Sequence, residues 1–372
     1  MNTLFAPVIR GAVLGKTGAP CIVKPAEQAA AGALAITAKG SATDSDVTSA
    51  ITDAIKNNSA APKAVAICFG EKTFHFTIEH GQAPKTRADV VRGKVALVTG
   101  GAQGFGEEIT RGLIAEGAVV FIADLNIAGA KALAEKLNGE NGKTVAYAVE
   151  VNVADEESVQ KMFETVTLTI GGLDLCISNA GVLRASSILE QDISGFKFVT
   201  DINYIAFAIV TKHCGIIMKK QNLAAKLCAA ASAFGNVLTT DIIQINSKSG
   251  LAGSNKNGSY AGSKFGGIGL VQSFALELIE WNIKVNAICP GNFYDGPLWS
   301  DPVKGLFVQY LNAGKVPGAK TIADVKTFYE AKSPIHRGCT GPDVLKAVFY
   351  AVEQVFETGQ AIPVTGGQVM LS

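Results

Sequence analysis

KVALVTGGAQGFG, Lys94–Gly106, reads as a strand running into a glycine-rich turn and then into a helix. Lys94–Val98 is the strand, and the helix continues through about Glu116. Glycines at 100, 104 and 106 let the backbone turn tightly and approach a pyrophosphate closely. The helix start offers free N–H groups to that anion. The spacing is Gly-x-x-x-Gly-x-Gly, a variant of the general dinucleotide fingerprint. Asp124 closes the next strand, Val119–Asp124, twenty residues after Gly104. A carboxylate at that distance suits the ribose hydroxyls of a dinucleotide and repels a 2′-phosphate. Gln103 brings no positive charge to the loop, so the expected cofactor is NAD rather than NADP.

Downstream, strands and helices alternate, which predicts a doubly wound parallel sheet, an α/β Rossmann architecture. Helices are expected at Ile127–Leu137, Glu156–Ile170, Ile202–Lys219 and Asp343–Glu357. Strands are expected at Thr144–Val151, Asp174–Ile177, Ile283–Ile288 and Ala361–Val364. Within Gln221–Thr240 the Ala-rich Leu223–Phe234 suggests an extra helical hairpin. Asn292–Cys339 carries helical patterns near Val303–Leu311 and Ile322–Ala331. That segment, 292–339, belongs over the ligand edge of the sheet as a substrate lid.

The stretch Ile242–Leu270, IIQINSKSGLAGSNKNGSYAGSKFGGIGL, runs from strand through polar loop to helix. Tyr260 and Lys264 are four apart and share a helix face. Ser247 stands thirteen residues before Tyr260, close enough for the loop to fold back on it. An ammonium beside a phenol favours the phenolate and lowers its pKa, which creates a general base. A hydroxyl alongside holds the substrate oxygen.

Ser247 followed by Tyr260-Ala-Gly-Ser-Lys264, together with the glycine turn, resembles the short-chain dehydrogenase/reductase family. The resemblance implies that Ser247, Tyr260 and Lys264 are catalytic and that Asn203 links the lysine to solvent through a water. It implies cofactor contacts from Gly100, Gln103, Gly104, Phe105, Gly106 and Asp124 on the first two strands. It adds Asn152 and Val153, where the family usually has Asp-Val, with the Asn accepting through its amide oxygen. Asn179, Ala180 and Gly181 correspond to the family's Asn-Ala-Gly, preceded here by Ser178. Pro290 and Gly291 form the turn under the nicotinamide, while Asp295 stands where a Thr is usual. Members commonly form tetramers or dimers, so a homo-oligomer is expected. The stretches Ile242–Gly253, Lys264–Gly267, Arg337–Cys339 and Val364–Met370 resemble family members of carbohydrate metabolism that interconvert a sugar-alcohol phosphate and a ketose phosphate. A phosphate wants a nearby cation, and Lys248, Lys256 and Arg337 are the candidates. The alternatives are a dehydrogenase of another polyol or hydroxy compound, or a non-catalytic NAD-binding protein.

The 372 residues carry a net charge of +1, so no nucleic-acid or membrane partner is implied. No apolar run of about 18 residues stands out as a spanning helix, and the first residues lack signal-peptide organisation. Seven cysteines without a Cys-x-x-Cys pair suggest reduced thiols in the cytoplasm. Four scattered histidines support no metal site. Residues 1–85 read as a small α/β extension of unknown role, joined by a polar linker at His80–Arg92 to the dehydrogenase unit at 86–372. In the extension, Val47–Lys56 reads as a helix, Ala64–Phe69 and Thr73–Ile78 as strands, and Ala26–Ala38 as helical.

Overall fold

The computed structural model describes residues 1–83, 89–229, 239–303, 305–312, 314 and 316–370. The expected boundary at 85/86 and residues 230–234 of the expected hairpin lie outside the described residues. The chain begins with α1 (Asn2–Thr17), β1 (Cys21–Ala26), β2 (Leu34–Ala38), α2 (Asp44–Asn57), β3 (Ala64–Phe69) and β4 (Lys72–His80). These strands form a sheet in the order β1-β4-β3-β2, with only the β2–β3 pair parallel. Ala26–Ala38 is therefore not helical. Alanine's helix preference amounts to tenths of a kcal/mol per residue. Pairing of Leu34–Ala38 with Val65–Phe69 and burial of Ile36 outweigh it.

The second part holds β5 (Val95–Thr99), α3 (Gly104–Ala115), β6 (Val119–Asp124), α4 (Ile127–Asn141), β7 (Ala146–Glu150), α5 (Glu156–Ile170), β8 (Leu175–Ser178), α6 (Ile193–Thr200), α7 (Ala206–Cys228) and β9 (Thr240–Ile245). It continues with α8 (Gly258–Leu278), β10 (Ile283–Pro290), α9 (Pro297–Ser300), α10 (Leu306–Asn312), α11 (Ile322–Ala331), α12 (Gly341–Glu353) and β11 (Ala361–Val364). Its seven strands are all parallel, in the order β11-β10-β9-β8-β5-β6-β7. Successive residues point to opposite faces of this sheet, and both faces are covered. Leu97, Phe121, Cys176 and Val285 pack under α5, α7 and α8. Val98, Ile122, Ile177 and Ile243 pack under α3, α4 and α12. The chain winds outward from β5 through β7, then returns to β8 on the other side of β5. That reversal opens a crevice at the C-terminal ends of β5 and β8, where such folds bind ligands.

α7 runs unbroken to Cys228, so Leu223–Cys228 extends one helix instead of starting a hairpin. Ala224, Ala225 and Cys228 are buried against the first part of the chain, which explains the extension. The helical run Ile193–Cys228 is, contrary to the sequence expectation, long and apolar enough by composition to cross a membrane. Its Phe207, Val210, Cys214 and Met218 are committed to the core beneath the sheet.

α1, absent from the sequence reading, locks the two sheets together. Gly11 and Gly15 face α7 so closely that a Cβ on either would collide with the carbonyl oxygen of Gln221 or Ala225. Arg10, fully buried one residue earlier, donates to both carboxylate oxygens of Asp174 (2.8 and 2.6 Å), to Gln221 Oε1 (2.8 Å) and to the Cys21 carbonyl (2.8 Å). Asp174 also accepts the Val95 N–H (2.8 Å) and the Gln221 amide (3.0 Å). Burial alone would raise the Asp174 pKa, but the Arg10 charge and hydrogen bonds, helped by Lys94 and Val95, hold it at about 2 against an ordinary 3.8. With the folded pKa below the unfolded one, this carboxylate's stabilising share is present above the ordinary value and lost as pH falls toward 2. Arg10→Met strands a buried charge and should cost about 3–5 kcal/mol at neutral pH. In urea titrations the deficit should shrink as pH falls through the carboxylate range, because a protonated Asp174 needs no cation. An equal deficit at all pH values would mean that lost packing, not the ion pair, is responsible.

Candidate active site

The glycine turn folds over the end of β5 because its backbone can. Gly100 and Gly104 have φ of +61° and +59°. A Cβ on Gly106 would collide with the Gly100 carbonyl oxygen. Asn179, just past β8, closes the crevice from the other side. Its amide donates to the carbonyls of Thr99 and Gly100, each at 3.0 Å. The Thr99 hydroxyl in turn accepts the N–H groups of Asn179 (3.0 Å) and Ala180 (3.1 Å). Thr99 escaped the sequence reading; a lone hydroxyl ending an apolar strand was its only signal. The half-buried Asp124 carboxylate accepts Ala102 N–H (3.1 Å) and Asn126 N–H (2.9 Å), so it stands beside the turn at the end of β6. This glycine cradle, the N-terminus of α3 and the adjacent carboxylate fit a dinucleotide. Asn152 is exposed beyond β7, and its amide oxygen already receives the Ala154 N–H (3.2 Å). Val153 is a core residue under α5.

The polar residues of the second half converge beside the same crevice. Gly181 leads to Asn203: a Cβ on this glycine would stand 3.2 Å from Asn203 Oδ1 and 3.8 Å from Lys264 Nζ. Asn203 lies in a π-helical turn, Asp201–Ile205, between α6 and α7, a kind of bulge that recurs at functional sites. Its amide exchanges hydrogen bonds with both backbone groups of Val182 (2.8 Å each) and donates to Ser263 Oγ (3.3 Å). Lys264 Nζ donates to the Ile245 carbonyl at 3.0 Å and lies 5.6 Å from the centroid of the Tyr260 ring. The Ser247 hydroxyl is close enough to the Tyr260 phenol to favour its ionised form. Sequence reasoning missed Asn246, which ties this group together. Its amide donates to Gln244 Oε1 (2.7 Å) and the Lys264 carbonyl (2.9 Å), and its oxygen accepts the Ser247 N–H (2.8 Å). Two buried polar residues alternating at the end of β9, Gln244 within it and Asn246 just past it, are the signal that marks it.

The electrostatics correct one expectation. Burial raises the Tyr260 pKa above its ordinary 10.0, and the nearby Ser247 hydroxyl opposes that only in part. Burial likewise lowers Lys264 to about 8, against the opposing influence of Cys289. The phenol thus stands above rather than below its usual value, because desolvation outweighs the influence of Ser247.

Pro290 ends β10 and Gly291 donates its N–H to the Val364 carbonyl (2.9 Å). The segment from residue 292 has its own apolar cluster of Tyr294, Trp299, Leu306, Phe307, Val316 and Val325. It meets the glycine turn through Phe293, stacked on Phe105 at 4.4 Å, and through Pro297, which approaches Gly104. Asp295 pairs with Lys326 of α11 at 2.7 Å and is largely exposed. Of the cations proposed for a phosphate, Arg337 is held by Asp343 (2.6 Å) at the start of α12. Lys256 is exposed, with a left-handed backbone at φ 55°. Lys248 is half-buried one residue after Ser247. A cavity of about 530 Å³ beside Arg337, Cys339, Lys346 and Thr365 contains none of Ser247, Tyr260 and Lys264.

A glycine cradle at a sheet reversal and a Ser–Tyr–Lys group beside it define a nicotinamide-dependent oxidoreductase. The chain belongs to the short-chain dehydrogenase/reductase family: residues 94–300 match the model described as short chain dehydrogenase. It is 34% identical over 280 residues to sorbitol-6-phosphate 2-dehydrogenase of Escherichia coli (strain K12), covering 74% of this chain and 99% of that protein. It is 32% identical over 254 residues to 2-dehydro-3-deoxy-D-gluconate 5-dehydrogenase of Formosa agariphila, covering 65% of this chain and 88% of that protein. The crystal structure of sorbitol-6-phosphate 2-dehydrogenase from Erwinia amylovora is similar with a TM-score of 0.66 and 34% identity, over 74% of this chain and all of that one.

Gly106→Ala should push the turn away from Gly100. Overpacking of this kind typically costs about 1–3 kcal/mol. The expected result is a lower melting temperature together with weaker binding of the reduced dinucleotide, followed by its fluorescence. Unchanged binding would show that the cradle tolerates a methyl group and is not the close approach described.

Proposed function

We propose that this protein is an NAD-dependent oxidoreductase that interconverts a sugar-alcohol phosphate and a ketose phosphate, with sorbitol 6-phosphate and fructose 6-phosphate as the pair. The observation that carries the chemistry is the juxtaposition of Ser247, Tyr260 and Lys264 beside the glycine cradle. The choice of substrate rests on similarity to the two sorbitol-6-phosphate 2-dehydrogenases over their whole lengths. NAD is favoured because the Asp124 carboxylate stands beside the turn, at the Ala102 N–H, where a 2′-phosphate would meet a like charge.

When bound, the dinucleotide supplies the acceptor or donor of a hydride at the carbinol carbon. Ser247 orients the substrate oxygen by a hydrogen bond. In oxidation, Tyr260 as phenolate takes the hydroxyl proton; in reduction, the phenol returns it to the carbonyl oxygen. A phenol with a raised pKa is protonated at neutral pH, which suits reduction there and moves oxidation to alkaline pH. Lys264 positions the ribose and steadies the phenolate once formed, and Asn203 connects the lysine to solvent through a water. The segment 292–339 closes over the substrate. The remaining assignments follow the same reading: a cytoplasmic homo-oligomer, dimer or tetramer, with reduced thiols. Exposed Phe198, Ile205, Ile216, Phe265 and Leu276 on α6–α8 offer apolar surface for such an assembly.

A panel of free and phosphorylated hexitols, followed by NADH absorbance and repeated with NADP, tests the substrate and cofactor. Sorbitol 6-phosphate with NAD should give the highest kcat/KM; preference for an unphosphorylated polyol would replace the substrate. In the same assay Tyr260→Phe should lower turnover by roughly 100- to 10,000-fold or more while NADH still binds. Retained turnover in this variant would move the base elsewhere, and silence of the wild type on every polyol would favour a non-catalytic NAD-binding role.

A further inference from the structure

We propose that Lys248 and Lys332 together receive the phosphate of the substrate, Lys248 from the loop behind Ser247 and Lys332 from the end of the segment that covers the site. This rests on the sugar-phosphate reading above and assigns the residues that read the phosphate. Lys332 caps α11 at its C-terminus, outside the set of cations that sequence reasoning singled out.

The sheet register brings the two lysines to one edge. Ile245 of β9 is level with Ile288 of β10, and Val364 of β11 is level with Pro290, two residues further on. Lys248 follows the end of β9 by three residues. Ser333, next to Lys332, is buried and donates to the carbonyl of Gly366, two residues past β11 (3.4 Å). Both lysines therefore sit just above the C-terminal edge, Lys248 in the loop after β9 and Lys332 beside the turn after β11, two strands separated only by β10, or roughly 10 Å at the usual strand spacing.

Their charges are not neutralised locally. Among the described residues, neither ammonium has a carboxylate within ion-pair reach; the acids beside α11, Asp295 and Glu330, face Lys326 at 2.7 and 3.8 Å. Lys332 Nζ lies instead over the rings of Phe328 (4.3 Å) and Tyr329 (5.3 Å), which restrain it without cancelling its charge. Burial, and next the charge of Lys332, hold the Lys248 ammonium below its ordinary pKa. Two positive charges without carboxylate partners at one ligand edge suit a dianion, and a phosphate monoester is one near neutral pH. Arg337, committed to Asp343, is not required.

The test compares wild type, Lys332→Ala and Lys332→Arg, using the ratio of kcat/KM for sorbitol 6-phosphate to that for sorbitol. Lys332→Ala should lower this preference by roughly 10- to 100-fold, the usual range for a charge-assisted contact. Lys332→Arg should restore most of it. An unchanged preference in Lys332→Ala, with sorbitol 6-phosphate still the favoured substrate, overturns the lysine pair and leaves the functional reading intact. Calorimetric titration with inorganic phosphate separates the other failure. If the wild type acts on no phosphorylated hexitol but binds phosphate, and Lys332→Ala loses that binding, the pair stands and the substrate reading falls. Equal phosphate binding by both proteins, or none by the wild type, overturns the pair. A carboxylated sugar acid used in preference to any phosphate ester also overturns it.

Discussion

A carboxylate buried at the foot of a central strand must find a cation, and here Asp174 finds Arg10, 164 residues earlier in the sequence. The pair cannot be exchanged for water, because Arg10 is fully buried and Asp174 nearly so. It therefore fixes α1 against α7 and against the start of β5, whose Val95 N–H shares the same carboxylate. The upper end of β8 runs into Asn179–Gly181, the far wall of the crevice. One strand thus couples the attachment of the N-terminal unit to the placement of residues beside the glycine turn.

Above the sheet, little of the site is held by side chains alone. Thr99, Asn179, Asn203 and Asn246 all spend hydrogen bonds on backbone groups of neighbouring strands and helices. Short loops that leave a parallel sheet have unpaired backbone groups, and each buried one must be satisfied. The same amides that satisfy them set the distances between Ser247, Tyr260 and Lys264. Burial then pushes both the phenol and the amine toward their neutral forms, so the site's charge state is set by desolvation more than by pairing.

The parallel sheet was legible because its strands are continuous apolar runs and its punctuation is glycine and acid at fixed offsets. Val119–Asp124 and Glu156–Ile170 match their predicted bounds. What periodicity could not show was long-range. Ala26–Ala38 looked helical because alanine is locally permissive, while its partner strand lies some thirty residues away. Leu223–Cys228 looked like a hairpin because the helix it continues is buried by α1, a contact across two hundred residues. The Tyr260–Lys264 spacing showed the neighbours correctly but not the depth at which they sit, and depth decided the sign of the phenol's shift. Lys332 was invisible for a similar reason, since only the sheet register places the turn after β11, which the end of α11 touches, two strands from the loop that carries Ser247.

The glycine-mediated crossing of α1 and α7 sets a schedule for synthesis. Gly11 meets Gln221, 210 residues downstream, so α1 leaves the ribosome long before its partner exists. At about 5–20 residues per second, that interval is on the order of 10–40 s. Throughout it, the apolar flank of α1 and the Arg10 guanidinium have no final resting place. Contacts of such sequence separation slow folding, because loop closure must precede any return. The nascent chain therefore carries an open seam for most of its translation, a natural point of engagement for chaperones.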